Sequence, residues 1–275
     1  MNKQLYLGSI FLLILLLANV KVKAQSTTSK NVSTFLIESP QLDTLKKIWV
    51  YLPKSYKTSE IKYPVLYLQD GQNLFDASTS YVGEWKIDES LDSLQLDIIV
   101  IGIEHGNTKR IDELTPYAHP EYKGGQADSY LAFITETLIP KVDSLYKINN
   151  SSTHTFIGGS SLGGLFAFYA SLKNPEIFGK ALVFSPSFWY SEEIFHFTEN
   201  IEAENIKNSY FYFRAGDKES ETMVPLMKEM KALLTSKSIK EAQINLDSIP
   251  KGEHNEGLWA ELFPDAALWL LGLEK

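Results

Sequence analysis

Thr153-His154-Thr155-Phe156-Ile157-Gly158-Gly159-Ser160-Ser161-Leu162-Gly163-Gly164-Leu165-Phe166-Ala167-Phe168-Tyr169 is the stretch that decides the fold. A β-branched and aromatic run breaks into a glycine-flanked serine and resumes as an apolar helical pattern. The spacing G-x-S-x-G falls on Gly159, Ser161 and Gly163. That order of strand, sharp turn and helix is a nucleophile elbow, in which the serine is held strained with its hydroxyl lifted above the sheet. A Cβ at either glycine would collide with the neighbouring strand or helix. Ser161 is therefore the candidate nucleophile. Ser160 is the rival, but its register needs glycine where the chain has Leu162. The competing reading is a plain Gly/Ser loop between a strand and a helix.

Strand-like and helix-like segments alternate outward from this point. Residues 47–52, 63–69, 97–103, 153–157, 181–185, 210–213 and 243–246 read as strands. Helical patterns cover 129–146, the segment after the elbow, 222–234 and 258–271. Pro140 should kink the first helix or restart it. The alternation predicts an α/β fold, a mostly parallel central sheet with helices on both faces. No repeat, linker or low-complexity stretch divides residues 25–275, which read as a single domain with a polar, flexible lead-in over 25–31.

Residues 1–24 stand apart. Lys3, the apolar run from Ile10 to Ala18, and Val22-Lys23-Ala24 before Gln25 make a secretory signal peptide. The run is short for a membrane span, so an uncleaved anchor is the weaker reading. The chain is expected to be exported, periplasmic or secreted, without stable membrane association after cleavage. It has no cysteine, which excludes disulfides, thiolate-bound zinc and a cysteine nucleophile together. The net charge of −8 becomes −11 once residues 1–24 leave with three lysines and no acid. So acidic a protein is a poor partner for nucleic acid or anionic lipid.

A serine hydroxyl needs a base, and the base needs an acid to fix its tautomer. Folds that use such an elbow take them in the chain order Ser, Asp/Glu, His. Only His196 and His254 follow Ser161. His254 lies in a glycine-bracketed loop after the last strand, where a base belongs; His196 sits among aromatics, as a packed or surface histidine does. The acid should follow a late strand, and the loop after 210–214 offers Asp217 and Glu219. Two backbone amides must receive the oxyanion. Leu162 follows the nucleophile, and Gln72 lies in Asp70-Gly71-Gln72-Asn73, directly after the strand ending at Gln69. The competing reading there is an ordinary Asp-Gly turn. No paired-histidine metal motif occurs among the five histidines, so neither metal nor cofactor is expected.

These residues carry a resemblance. Val65-Leu66-Tyr67-Leu68-Gln69-Asp70-Gly71, Gly83-Glu84-Trp85, Arg110-Ile111-Asp112-Glu113-Leu114-Thr115-Pro116, Gly158 to Gly164, Phe184-Ser185-Pro186-Ser187-Phe188-Trp189 and Gly252-Glu253-His254 resemble the esterase group of α/β-hydrolases. That group includes siderophore and feruloyl esterases, S-formylglutathione hydrolases and mycolyl transferases. The resemblance runs from about Lys47 to Trp269. It implies Ser161 as nucleophile, His254 as base and Gln72 as second oxyanion donor. It selects Glu219, three residues after Gly216, as the acid, although many relatives carry Asp there. It puts Arg110 in the substrate cleft; an ion pair between Arg110 and Glu113 is the alternative. Trp85, Phe188, Trp189 and Trp259 would supply aromatic surface for an aryl ester, with Trp189 named for the cleft, unless they are simply core. The expected activity is a serine carboxylic ester hydrolase acting on a small-molecule or polysaccharide-borne ester, with acyl or feruloyl esters first and a siderophore lactone second. A non-catalytic binding module of the same fold is the reading from another class.

Overall fold

The computed structural model describes residues 26–274. The expected signal peptide, 1–24, lies outside the described residues. The strands are β1 Val32–Ser39, β2 Thr44–Tyr51, β3 Val65–Gln69, β4 Ile99–Ile103, β5 Thr155–Ser160, β6 Lys180–Phe184, β7 Tyr210–Gly216 and β8 Ile244–Ile249. They form one sheet in the order β1-β2-β4-β3-β5-β6-β7-β8. β3 to β8 pair in parallel, while β1 and β2 run antiparallel at one edge. The helices are α1 Ile87–Leu94, α2 Arg110–Leu114, α3 Ala127–Ala132, α4 Ile139–Leu145, α5 Leu162–Lys173, α6 Glu193–Asn200, α7 Ala203–Ile206, α8 Met223–Ser236 and α9 Glu256–Leu271. This is the α/β-hydrolase arrangement expected from the sequence.

The continuous apolar strands are explained by burial on both faces. Successive residues of β3 alternate between two cores. Val65 and Tyr67 join the one that α3, α4, α5 and α8 cover, and Leu66 and Leu68 join the one under α1 and α9. Each fully buried large apolar side chain contributes about 1.5–3 kcal/mol. That scale lets a cysteine-free domain of this size hold without staples.

Two expectations are corrected. Residues 26–31 are not a loose lead-in: Ser26 Oγ bonds Asp76 (2.7 Å), the Ser29 amide bonds Asp88 (2.8 Å), and Asn31 bonds Asp92 (3.3 Å). A polar composition seeks polar partners, and a row of carboxylates supplies them. The strand β1 has no counterpart in the sequence reading, because an edge strand packs one face only and leaves Leu36 64% exposed. Pro140 acts as expected. It lies in the first turn of α4, preceded by a π-helical turn over Phe133–Leu138, because proline offers no amide to continue the ladder.

Chain order in the sheet positions the site. From β3 the chain crosses through α1 to β4 on one side, and from β5 it crosses through α5 to β6 on the other. The connections diverge, so a crevice opens at the carboxyl ends of β3 and β5. Gln72 and Ser161 stand in the two turns that flank it.

Candidate active site

Ser161 follows the last residue of β5 and precedes α5, with φ 57° and ψ −123°. A left-handed φ is costly for serine, and the surroundings fix it. The Ser161 amide donates to the Phe184 carbonyl (3.0 Å), and its carbonyl accepts from Ser187 (3.1 Å) and Leu165 (3.0 Å). The turn is so tight that a Cβ on Gly159 would lie 2.6 Å from the Gly163 carbonyl carbon. The hydroxyl has one weak neighbour, Ser187 Oγ at 3.4 Å.

Glu219 and His254 arrive on two loops that cross at Gly216 and Gly252. A Cβ on Gly216 would sit 2.1 Å from Gly252 backbone, and the Lys218 amide donates to the Gly252 carbonyl (3.0 Å). This crossing brings Glu219 Oε2 to 2.7 Å from His254 Nδ1. The Glu219 side chain is 1% exposed and the His254 ring 36%. The other carboxylate oxygen, Oε1, accepts from the Gly216 amide (2.6 Å) and from Ser185 Oγ (2.7 Å). Ser185 Oγ in turn accepts from Trp259 Nε1 (2.9 Å), and the indole meets the His254 ring edge-on at 5.0 Å between centroids. With Nδ1–H donated to Glu219, the neutral imidazole presents Nε2 as an acceptor.

The two candidate acids separate cleanly. Asp217 is exposed and spends Oδ1 on the Lys251 amide (2.7 Å), clamping the turn after β8. His196 lies on α6, 61% exposed, with only Glu199 near its Nδ1 at 3.9 Å. Neither belongs with Ser161. Ser160 is 5% exposed, the last residue of β5.

Leu162 opens α5 and Gln72 stands in the 3-10 turn Gly71–Asn73. First-turn amides have no carbonyl behind them to bond, so both are suited to receive an anion. Asp70 enters that turn at φ 56° and holds Arg110 in a bidentate pair, Nε and Nη2 each at 2.8 Å. Arg110 thus reaches the cleft, but its guanidinium is engaged by Asp70. The alternative pairing with Glu113 is not the one found, because Glu113 accepts from Lys46 instead, with both oxygens at 2.8 Å.

Ser161 and His254 line one cavity of about 670 Å³ with Asp70, Gln72, Arg110 and Trp259. Tyr81 and Val82, 88% and 70% exposed, stand at its mouth. His105 also lines it; burial lowers its pKa, against the pull of Asp70, so the ring is neutral near pH 7. Trp189 is not among the lining residues. It is 50% exposed and packs edge-on against Tyr122, because the 3-10 turn Phe188–Tyr190 buries Phe188 and Tyr190 on either side of it. Trp85 and Phe188 are core, 3% and 1% exposed, leaving Trp259 as the tryptophan of the cavity. Sequence reasoning missed Ser185 and Tyr81; nothing in Phe184-Ser185-Pro186 or in an exposed loop marks a serine or tyrosine as facing a site.

Residues 39–270 match the model of the family described as "Putative esterase". YbbA of Bacillus subtilis (strain 168) is 29% identical over 247 residues, covering 84% of this chain and 94% of that protein. The ferri-bacillibactin esterase BesA of the same organism is 29% identical over 163 residues, covering 54% of this chain and 56% of BesA. Among solved structures, a ferulic acid esterase superposes with TM-score 0.68 at 16% identity, covering 88% of this chain and 98% of its own. That last likeness is one of fold.

Proposed function

This chain belongs to the esterase family of α/β-hydrolases, and from that premise we propose that it cleaves carboxylic esters through an acyl-enzyme on Ser161. Ser161 Oγ attacks the ester carbonyl carbon while His254 Nε2 takes its proton. The carbonyl oxygen becomes an anion, received by the amides of Leu162 and Gln72, each worth on the order of 3 kcal/mol of barrier. The C–O bond breaks and the alcohol leaves with the proton from His254. Water then attacks the acyl-serine, His254 takes its proton, and the acid departs as Ser161 recovers its hydrogen. Glu219 keeps His254 in the productive tautomer and stabilises the imidazolium. The observation that carries this reading is the Glu219–His254 bond of 2.7 Å on the cavity that Ser161 also lines.

The lining of that cavity favours a neutral ester with an aryl or sugar component. Trp259, Tyr81 and Val82 offer apolar surface. Arg110 is neutralised by Asp70, and Glu256 adds a second carboxylate to the wall. An anionic ferric catecholate would meet little compensating charge there. An acyl or feruloyl ester on a polysaccharide is therefore the first reading. A siderophore lactone is the second, favoured by the likeness to BesA. We place the enzyme outside the cytoplasm on the strength of residues 1–24. The constellation of side chains argues against a non-catalytic module.

The test is a hydrolysis panel of feruloyl and acetyl sugars, a catecholate trilactone and p-nitrophenyl acetate, run on the wild type and Ser161→Ala. We expect the variant to lose at least about a thousandfold in kcat and feruloyl or acetyl sugars to lead in kcat/KM. Undiminished turnover by Ser161→Ala would refute the mechanism; a leading trilactone would select the second reading.

A further inference from the structure

We propose that Glu84, Asp88 and Glu89 form a calcium site, separate from the catalytic crevice, that pins the N-terminal segment to the start of α1. Ligand oxygens of the three carboxylates lie within 4.8 Å of one another. Oxygens bound to one Ca²⁺ at roughly 2.3–2.6 Å can stand up to about 5 Å apart, whereas octahedral Mg²⁺ holds them within about 4.2 Å. The spacing suits the larger ion.

A second observation points to a ligand. Asp88 is 0% exposed. Its Oδ2 accepts the Ser29 amide at 2.8 Å, but Oδ1 is buried without any hydrogen-bond partner. A desolvated carboxylate oxygen with no donor is expensive, and a cation between Asp88 and its two acidic neighbours removes that cost. The ion pairs formed among the described residues leave these three carboxylates out. Glu89 is exposed and gives an ion its way in.

The segment over the trio is already seated. Thr27 Oγ1 donates to Glu84, 3.0 Å from one carboxylate oxygen and 3.1 Å from the other, and accepts the Ala77 amide at 2.8 Å. Between Glu84 and Asp88, Trp85 donates its amide to the Asn73 carbonyl (2.8 Å) and packs its ring against Trp259 at 5.8 Å. Calcium would therefore stiffen the wall that carries the Gln72 turn while touching no reacting group.

The experiment is calorimetric titration and thermal melting of the EDTA-stripped protein at pH 8 with CaCl₂, MgCl₂ and ionic-strength-matched NaCl. One Ca²⁺ should bind per chain, and at about a hundredfold excess over Kd the Tm should rise by roughly 5 °C or more. Magnesium should do less and sodium nothing comparable. Glu89→Gln should weaken calcium binding at least about tenfold while melting, metal-free, no lower than the wild type, since it relieves carboxylate repulsion. Glu84→Gln should behave alike. Absence of a stoichiometric calcium heat, or a full calcium response in Glu89→Gln, would overturn the site.

Discussion

Glu219 Oε2 stands 2.7 Å from His254 Nδ1 at the end of a polar chain, Trp259 to Ser185 to Glu219, that is closed to solvent at the carboxylate. The Glu219 carboxylate is thus held from three sides, by an amide, a hydroxyl and an imidazole. Such preorganisation is what makes a carboxylate useful behind a histidine, because no reorganisation is needed as the imidazolium forms.

Glu219→Gln should lower kcat by roughly 10²–10⁴, since an amide facing Nδ1 favours the wrong tautomer. Asp217→Asn should stay within about twofold of wild type, because asparagine keeps the oxygen that accepts the Lys251 amide. Steady-state kinetics on p-nitrophenyl acetate decides it; the reverse ranking would move the acid to Asp217.

Ser185 is fully buried, at φ 44°, and under the proposed mechanism it acts as a positioning residue. Ser185→Ala removes a hydrogen bond to a carboxylate and strands the Trp259 indole N–H. Hydrogen bonds to charged groups are worth about 1.5–3 kcal/mol, so kcat should fall roughly ten- to a hundredfold while KM stays within about twofold. Trp259→Phe, which leaves the Ser185–Glu219 bond in place, should lose less. A purely structural role would instead lower Tm and leave the kcat of the folded fraction unchanged. Melting curves and active-site titration separate the two.

Much of this was legible because the elbow, the Asp-Gly turn and the Gly-Glu-His loop are local: each turn type demands its residues within a few positions. The places of Ser161, Leu162, Gln72 and His254 on their turns follow from their own neighbourhoods. The choice between Asp217 and Glu219 does not, because it depends on the crossing of Gly216 over Gly252, a contact between loops 36 positions apart. Ser185 and the Asp70–Arg110 pair are equally non-local. Trp189 shows the opposite failure: an aromatic in a site-bearing motif is turned outward because Phe188 and Tyr190, beside it, are the ones that fill the core. β1 was missed since an edge strand with one packed face carries a weak apolar signal.

The buried pair Lys46–Glu113 ties β2 to α2, and so fixes both the loop between β4 and α2 that carries His105 and the helix start that carries Arg110. Both side chains are nearly inaccessible, 2% and 5% exposed, and Glu113 also accepts the Gly106 amide at 2.8 Å. Burial lowers the Lys46 pKa, with Glu113 opposing, so the ammonium persists because its partner is there. Lys46→Met would leave a carboxylate buried without its counter-charge, a loss of about 3–5 kcal/mol, or roughly 6–20 °C in Tm for a domain of this size. Adding Glu113→Gln removes the stranded charge and keeps an acceptor for Gly106. The double variant should therefore melt above Lys46→Met alone, even though it carries one more substitution. Thermal denaturation of the single and double variants measures this directly. If the double variant melts lower, the pair is held by packing of the lysine stem and not by charge.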